Sequence, residues 1–156
     1  MKIKDFLSLD AVTSDLKARN KEELIEELVS LLVSSGSIEK KYKSKVVEVI
    51  MAREALGSTA IGQGIAIPHG KSDSVSQLVA GLGVSKKGVS FDSLDGEPAY
   101  IFFILIAPQD SAGPHLKALA RVSRLLKDKY FRDSLKSVKD HKGIIELVSQ
   151  EDDRNT

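Results

Sequence analysis

Apolar positions recur at helical spacing in several stretches of the chain. From Asn20, the residues Leu24, Ile25, Leu28, Leu31 and Leu32 form one stripe, and Gly36 ends it. Asn20 with Glu23 three residues on is a capping-box pattern. A second stripe, Tyr42, Val46, Val49 and Ile50, predicts a helix over 41–56 that stops at Gly57. Pro108 and Gly113 then break the chain. Pro114 suits the first turn of a third helix backed by Leu116, Leu119, Val122, Leu125 and Leu126. A last helix is predicted over 142–150.

Strand signals lie between these helices. Residues 64–67 (GIAI) read as a short strand and 78–84 (LVAGLGV) as a longer one. Residues 89–91 (VSF) read as a short partner after a turn at Lys86-Lys87-Gly88. Residues 100–107 (YIFFILIA) are apolar on both faces, as in a central strand covered on both sides. An edge strand is predicted near 11–16. Two helices, then strands, then two or more helices predict an α/β fold: a single-domain sandwich with a central mixed β-sheet flanked by helices on both faces. The order is not a strict βαβ alternation. Residues 1–150 form the domain in this reading, and the charged end 151–156 is expected to fray.

Composition narrows the function classes. Charged residues make up 29% of the 156 and nearly cancel, to a net charge of +1. A general nucleic-acid binder has a strong basic excess. With no cysteine there is no disulfide, thiolate metal site or thiol nucleophile. The N-terminus, MKIKDFLSLD, lacks the apolar core of a signal peptide. The longest apolar run, 99–107, falls far short of the ~20 residues that span a bilayer. The expectation is a cytoplasmic protein without membrane insertion.

The segment GQGIAIPHGKSD (62–73) ends in Gly-Lys-Ser, as a nucleotide-binding P-loop does. That loop needs glycine at position 65, where this chain has Ile65. The dinucleotide fingerprint also fails, because position 67 is Ile67. Two widely separated histidines without cysteine make no metal-ligand pattern, and no G-x-S-x-G elbow is present.

Three histidines occur. His141 lies in a charged stretch and reads as a solvated surface residue. His69 sits on a turn between Pro68 and Gly70, where an imidazole can act as a nucleophile or cap a strand end. His115 shares a face with Leu119, Val122 and Leu126 and leans inward. It is either an interior residue that orients a loop or a neighbour of a bound anion at a helix start. Arg53 lies beside the apolar stripe of the second helix. It either pairs with a carboxylate such as Asp92 or Asp95, or meets a phosphoryl group.

The segment REALGSTAIGQGIAIPHGKSD (53–73) resembles the phosphorylation-site region of enzyme IIA domains of the phosphoenolpyruvate-dependent sugar phosphotransferase system. The subgroup is the fructose–mannitol type, which includes the nitrogen-regulatory IIA proteins. FDSLDGEPAYIFFILIAP and HLKALARVSRLLKD extend the resemblance over essentially the whole chain. The resemblance implies that His69 accepts a phosphoryl group, with His115 and Arg53 at the same site. It implies an HPr-like phosphocarrier as donor and a IIB component as acceptor in sugar uptake. In the nitrogen-regulatory branch it implies instead that phosphorylation switches binding to target proteins. No ATP, cofactor or metal is required. The same reading makes Gly57, Gly62, Gly64 and Gly70 a low rim for a docking protein. It places Ile61, Ile65 and Leu116 in an apolar ring around His69 and leaves Lys71 a helper near the phosphate or a surface charge.

Overall fold

The computed structural model describes residues 1–154. Its centre is the strand β6 (Ala99–Ala107), buried at every residue but Tyr100. Side chains of a strand alternate between its faces, so β6 serves two cores at once. Ile101, Phe103 and Leu105 join one cluster, and Phe102, Ile104 and Ile106 the other. β5 (Val79–Val89) pairs antiparallel with β6 on one side. β1 (Leu7–Thr13) pairs parallel with β5 and forms the edge, beginning earlier than its sequence suggested. On the other side of β6 lie two short parallel partners in succession, β3 (Ile65–Ala66) and β4 (His69–Lys71). β2 (Ala60–Gly62) closes that side, antiparallel to β3.

The helices divide as the sequence order predicts. α1 (Lys21–Ser34) and α2 (Lys43–Ala55) bury Leu24, Ile25, Leu28, Val46 and Ile50 on one face. α3 (Ala112–Lys127), α4 (Lys129–Ser137) and α5 (His141–Arg154) bury Val122, Phe131, Leu135, Ile144 and Val148 on the other. The expected mixed-sheet sandwich is therefore the fold. At the start of α1, Asn20 accepts a hydrogen bond from the Glu23 N–H at 2.9 Å. Glu23 reaches back to the Arg19 N–H instead of that of Asn20, so the box closes one residue early. Gly36 ends α1 with φ +81, and the Ser37 N–H bonds the Leu32 carbonyl in a Schellman-type stop.

Several expectations need correction. Residues 89–91 are not a separate strand after a turn: β5 runs through Lys86-Lys87-Gly88 to Val89, which pairs with Ala99. A register shift falls between Val84 and Val89, and within it Gly88, at φ +82, leaves room for the Tyr100 ring where a Cβ would stand. Gly113 does not break the chain but lies in the first turn of α3. The sequence reading did not separate α4 from its neighbours. Its signal is Asp128, whose side chain accepts the Phe131 N–H, with Phe131 and Leu135 one turn apart. The charged end does not fray over its described part: α5 continues to Arg154, with Glu151 and Asp152 buried, while 155–156 lie outside the described residues.

The strand alternation also sets β4 against its neighbours. Gly70 pairs with Ile106 and so faces the α1–α2 side. A Cβ there would stand 2.8 Å from Val49 Cγ1 and 3.4 Å from Ile50 Cδ1. Gly70→Ala is therefore expected to push α2 away from β4 and cost about 1–3 kcal/mol, read as a lower midpoint in urea unfolding.

Candidate functional site

His69 and Lys71 are two residues apart on β4 and point to the face opposite Gly70. That face carries α3, which leaves the carboxyl end of β6 through the loop at Pro108. The His115 ring, from the first turns of α3, meets the His69 ring edge-on with centroids 5.6 Å apart. Arg53 comes from the last turn of α2 on the other layer, and its Nη1 donates to the Gly57 carbonyl at 2.8 Å. Three elements thus converge where two parallel-paired strands end, the usual place for a site in an open α/β sheet.

The two ring nitrogens of His69 are unlike. Nδ1 lies 2.7 Å from the Ile67 carbonyl oxygen, which can only accept, so Nδ1 carries the proton. That leaves Nε2 as the nitrogen with a lone pair, and it has no hydrogen-bond partner among the described residues. Burial pushes the His69 imidazole below its ordinary pKa. The Ile67 carbonyl opposes this by favouring the protonated ring, and the Arg53 charge adds to the lowering. His115 is buried, and its Nε2 has no hydrogen-bond partner among the described residues. Burial lowers its pKa as well, followed by repulsion from His69 and Lys71.

A histidine lowered in this way favours the neutral ring in the folded state. The folded chain then binds fewer protons than the unfolded chain between the two pKa values. This contribution is fully present above the unfolded histidine pKa and is lost as pH falls toward the folded one. NMR titration of the ring protons is expected to place both histidines below ordinary imidazole, with His69→Ala raising the pKa of His115.

The alternatives left open for Arg53 resolve on one point. Neither Asp92 nor Asp95 pairs with it: Asp92 meets Lys21 at 3.3 Å, and Asp95 accepts the N–H groups of Gln63 and Glu97. Among the described residues no carboxylate neutralises Arg53. Lys71, left ambiguous by the sequence, is half-buried without an ion pair among the described residues, and its charge reaches His115. The parity of β4 was the signal for it. His69 sits on this strand and not on a free turn. His141 is exposed at the start of α5, as expected.

The supposed ring and rim differ from expectation. Ile65 is a core residue at 1% exposure, whereas Ile61 and Leu116 stand out from the surface together with Leu56 and Leu94. Gly62 and Gly64 serve the β2–β3 turn, with φ of +95 and +77, and Gly70 serves the contact with α2. Lowering a rim is not what holds glycine at these places. Among the described residues, no group of three or more His, Cys, Asp or Glu is placed to hold a metal ion. No helix among them is long and apolar enough to cross a membrane.

Comparison with known proteins bears on this geometry. Residues 5–151 match the family described as phosphoenolpyruvate-dependent sugar phosphotransferase system, EIIA 2. The chain is 37% identical over 97% of its length to the fructose-specific EIIABC component of Bacillus subtilis, of which it spans 24%. It is 33% identical over 96% of its length to a nitrogen regulatory protein of Bradyrhizobium diazoefficiens, covering 95% of that relative. The crystal structure of nitrogen regulatory protein IIA-Ntr from Neisseria meningitidis superposes with a TM-score of 0.84 at 34% identity, covering 94% of this chain and 98% of that one.

Proposed function

The chain belongs to the EIIA 2 family of the phosphoenolpyruvate-dependent sugar phosphotransferase system, and on that premise we propose that it carries a phosphoryl group on Nε2 of His69. The observation that supports this most directly is the division of the His69 ring, with Nδ1 tied to the Ile67 carbonyl and Nε2 free. The donor is an HPr-like phosphocarrier that presents its own phosphohistidine. The Nε2 lone pair attacks phosphorus in line, the donor's P–N bond breaks, and its electron pair returns to the donor's imidazole. The proton stays on Nδ1 throughout, donated to the Ile67 carbonyl. Phosphoryl transfer of this kind rests on positioning and charge stabilisation. Arg53 and Lys71 supply positive charge, and the unpartnered Nε2 of His115 supplies a donor to a phosphoryl oxygen. The exposed Leu56, Ile61, Leu94 and Leu116 offer apolar contact to a protein partner. The reaction consumes no ATP.

The acceptor in this reading is a IIB component in sugar uptake. A second reading is supported by the similarity to nitrogen regulatory proteins along nearly their whole length. There the phosphorylation state of His69 controls binding to target proteins. Both are tested by incubating the chain with phosphorylated HPr-type carriers and following its intact mass, then adding fructose-type IIB. Loss of the phosphoryl group to IIB supports the transport reading. A stable phosphoprotein that IIB does not discharge, and that binds other proteins only in one state, supports the regulatory one. A chain that no carrier phosphorylates would overturn both.

A further inference from the structure

Glu54 follows Arg53 on α2 but turns the opposite way, into the protein, where only 6% of it is exposed. A buried carboxylate is costly unless every oxygen is satisfied. Both oxygens of Glu54 face the Thr59 N–H, at 3.2 and 3.3 Å, and one also takes the Thr59 hydroxyl. Lys21 of α1 completes the set with an ion pair at 2.9 Å, its ammonium lying over the Phe91 ring. Thr59 is itself buried and lies in the connection from α2 to β2.

The contacts continue to His69. The Thr59 carbonyl accepts the Ile67 N–H at 3.1 Å. The Ile67 carbonyl then accepts Nδ1–H of His69, and the next carbonyl, that of Pro68, is held by the Leu105 N–H at 3.0 Å. Ile67 is thus clamped between Thr59 on one side and β6 on the other, and Pro68 fixes its own φ between them. The direction of the Ile67 carbonyl decides which nitrogen of His69 carries the proton. We propose that Glu54 and Thr59 are positioning residues that hold the Ile67 carbonyl on Nδ1 of His69 and thereby keep Nε2 as the nitrogen that receives the phosphoryl group.

Lys21 has a second part in this arrangement. Glu54 is adjacent in sequence to Arg53, and a free carboxylate there would compete with a phosphoryl group for the guanidinium. Held by Lys21 and Thr59, it leaves Arg53 without a carboxylate partner among the described residues. Neither role belongs to a residue that touches the phosphoryl group.

The proposal rests on the reading of His69 as the acceptor, but its main readout does not. Ring ¹⁵N shifts of His69 report the tautomer in the unphosphorylated chain, with no carrier present. The wild type is expected to hold the proton on Nδ1 in nearly all molecules. In Thr59→Val and in Glu54→Gln, both tautomers are expected, with phosphoryl acceptance slowed about 10-fold or more and some phosphate appearing on Nδ1. Thr59→Ser keeps the hydroxyl and is expected to restore both the tautomer and the rate. If Glu54→Gln fails to fold, the Thr59 pair still decides the matter. A wild-type tautomer in Thr59→Val, with a loss of rate that merely follows a lower Tm, would reduce the network to a structural role and overturn the proposal. Failure of the carrier to phosphorylate the wild type would instead sink the acceptor assignment, while the tautomer shifts would still report on the network.

Discussion

A His69→Ala variant is expected to accept no phosphoryl group from a carrier that labels the wild type, while Arg53→Ala and His115→Ala still accept it about 10²–10³-fold more slowly. The difference follows from what each group does in the proposed transfer. His69 is half-buried with Nδ1 already committed, so its Nε2 is the nitrogen a docking carrier can reach, whereas the neighbouring His115 is buried and serves as a donor in this reading; removal of His69 therefore leaves no acceptor. His141 cannot take over, because it is exposed at the start of α5 on another part of the fold. Arg53 and His115 act on charge that develops on the phosphoryl oxygens. Their loss weakens a donor in a partly buried place, where a factor of 10² corresponds to about 2.7 kcal/mol. Arg53→Lys is expected to recover only part of the rate, since an ammonium cannot repeat the planar fork of a guanidinium. The measurement is rapid-quench labelling with phosphorylated carrier, with circular dichroism to confirm folding. Labelling of His69→Ala at the wild-type rate would place the acceptor elsewhere.

Asp152→Ala is expected to cost about 3 kcal/mol of stability, far more than a charged residue near a chain end normally costs. Its carboxylate is fully buried and accepts the N–H groups of Ile3 and Lys4 at 2.7 and 3.0 Å. Arg121 of α3 approaches it at 3.6 Å. Removing the carboxylate leaves the Ile3 N–H buried without this acceptor, and Arg121 largely covered and without this carboxylate. An orphaned buried donor alone costs about 1–3 kcal/mol. For a chain of this size the sum corresponds to a fall in Tm of about 6–12 °C by calorimetry. Deletion of the last turn of α5 should do at least as much. An unchanged Tm would mean that the first turn of the chain contributes little to stability.

Much of this was legible in the residues. The stripe from Leu24 to Leu32, the unbroken run at β6 and the glycine after each early helix are local signals, because helix and strand periodicity is a property of neighbouring residues. Asn20 could be read as a cap for the same reason. Lys86-Lys87-Gly88 was misread as a turn because composition there matches a turn, while pairing of Val89 with Ala99 keeps it in a strand. Asp152 looked like part of a solvated tail because its partners, Ile3 and Lys4, lie at the other end of the chain.

The site divides in the same way. The sequence alone determined the fold class and pointed to His69, His115 and Arg53 as a group, since each carries a local signature and the resemblance joins them. It could not fix the orientation of the His69 ring, or whether Arg53 pairs with a carboxylate. Those choices depend on backbone direction and side-chain orientation, which are fixed where α1, α2, α3 and β4 meet. The tertiary structure places the Ile67 carbonyl on Nδ1, sets the His115 ring at 5.6 Å and diverts Glu54 to Lys21 and Thr59. It also turns Lys71 to the face of His69, through the parity of a three-residue strand that exists only because β6 is there to pair with it. Periodicity is written residue by residue, but the orientation of a ring and the partner of a charge are settled where separate elements meet.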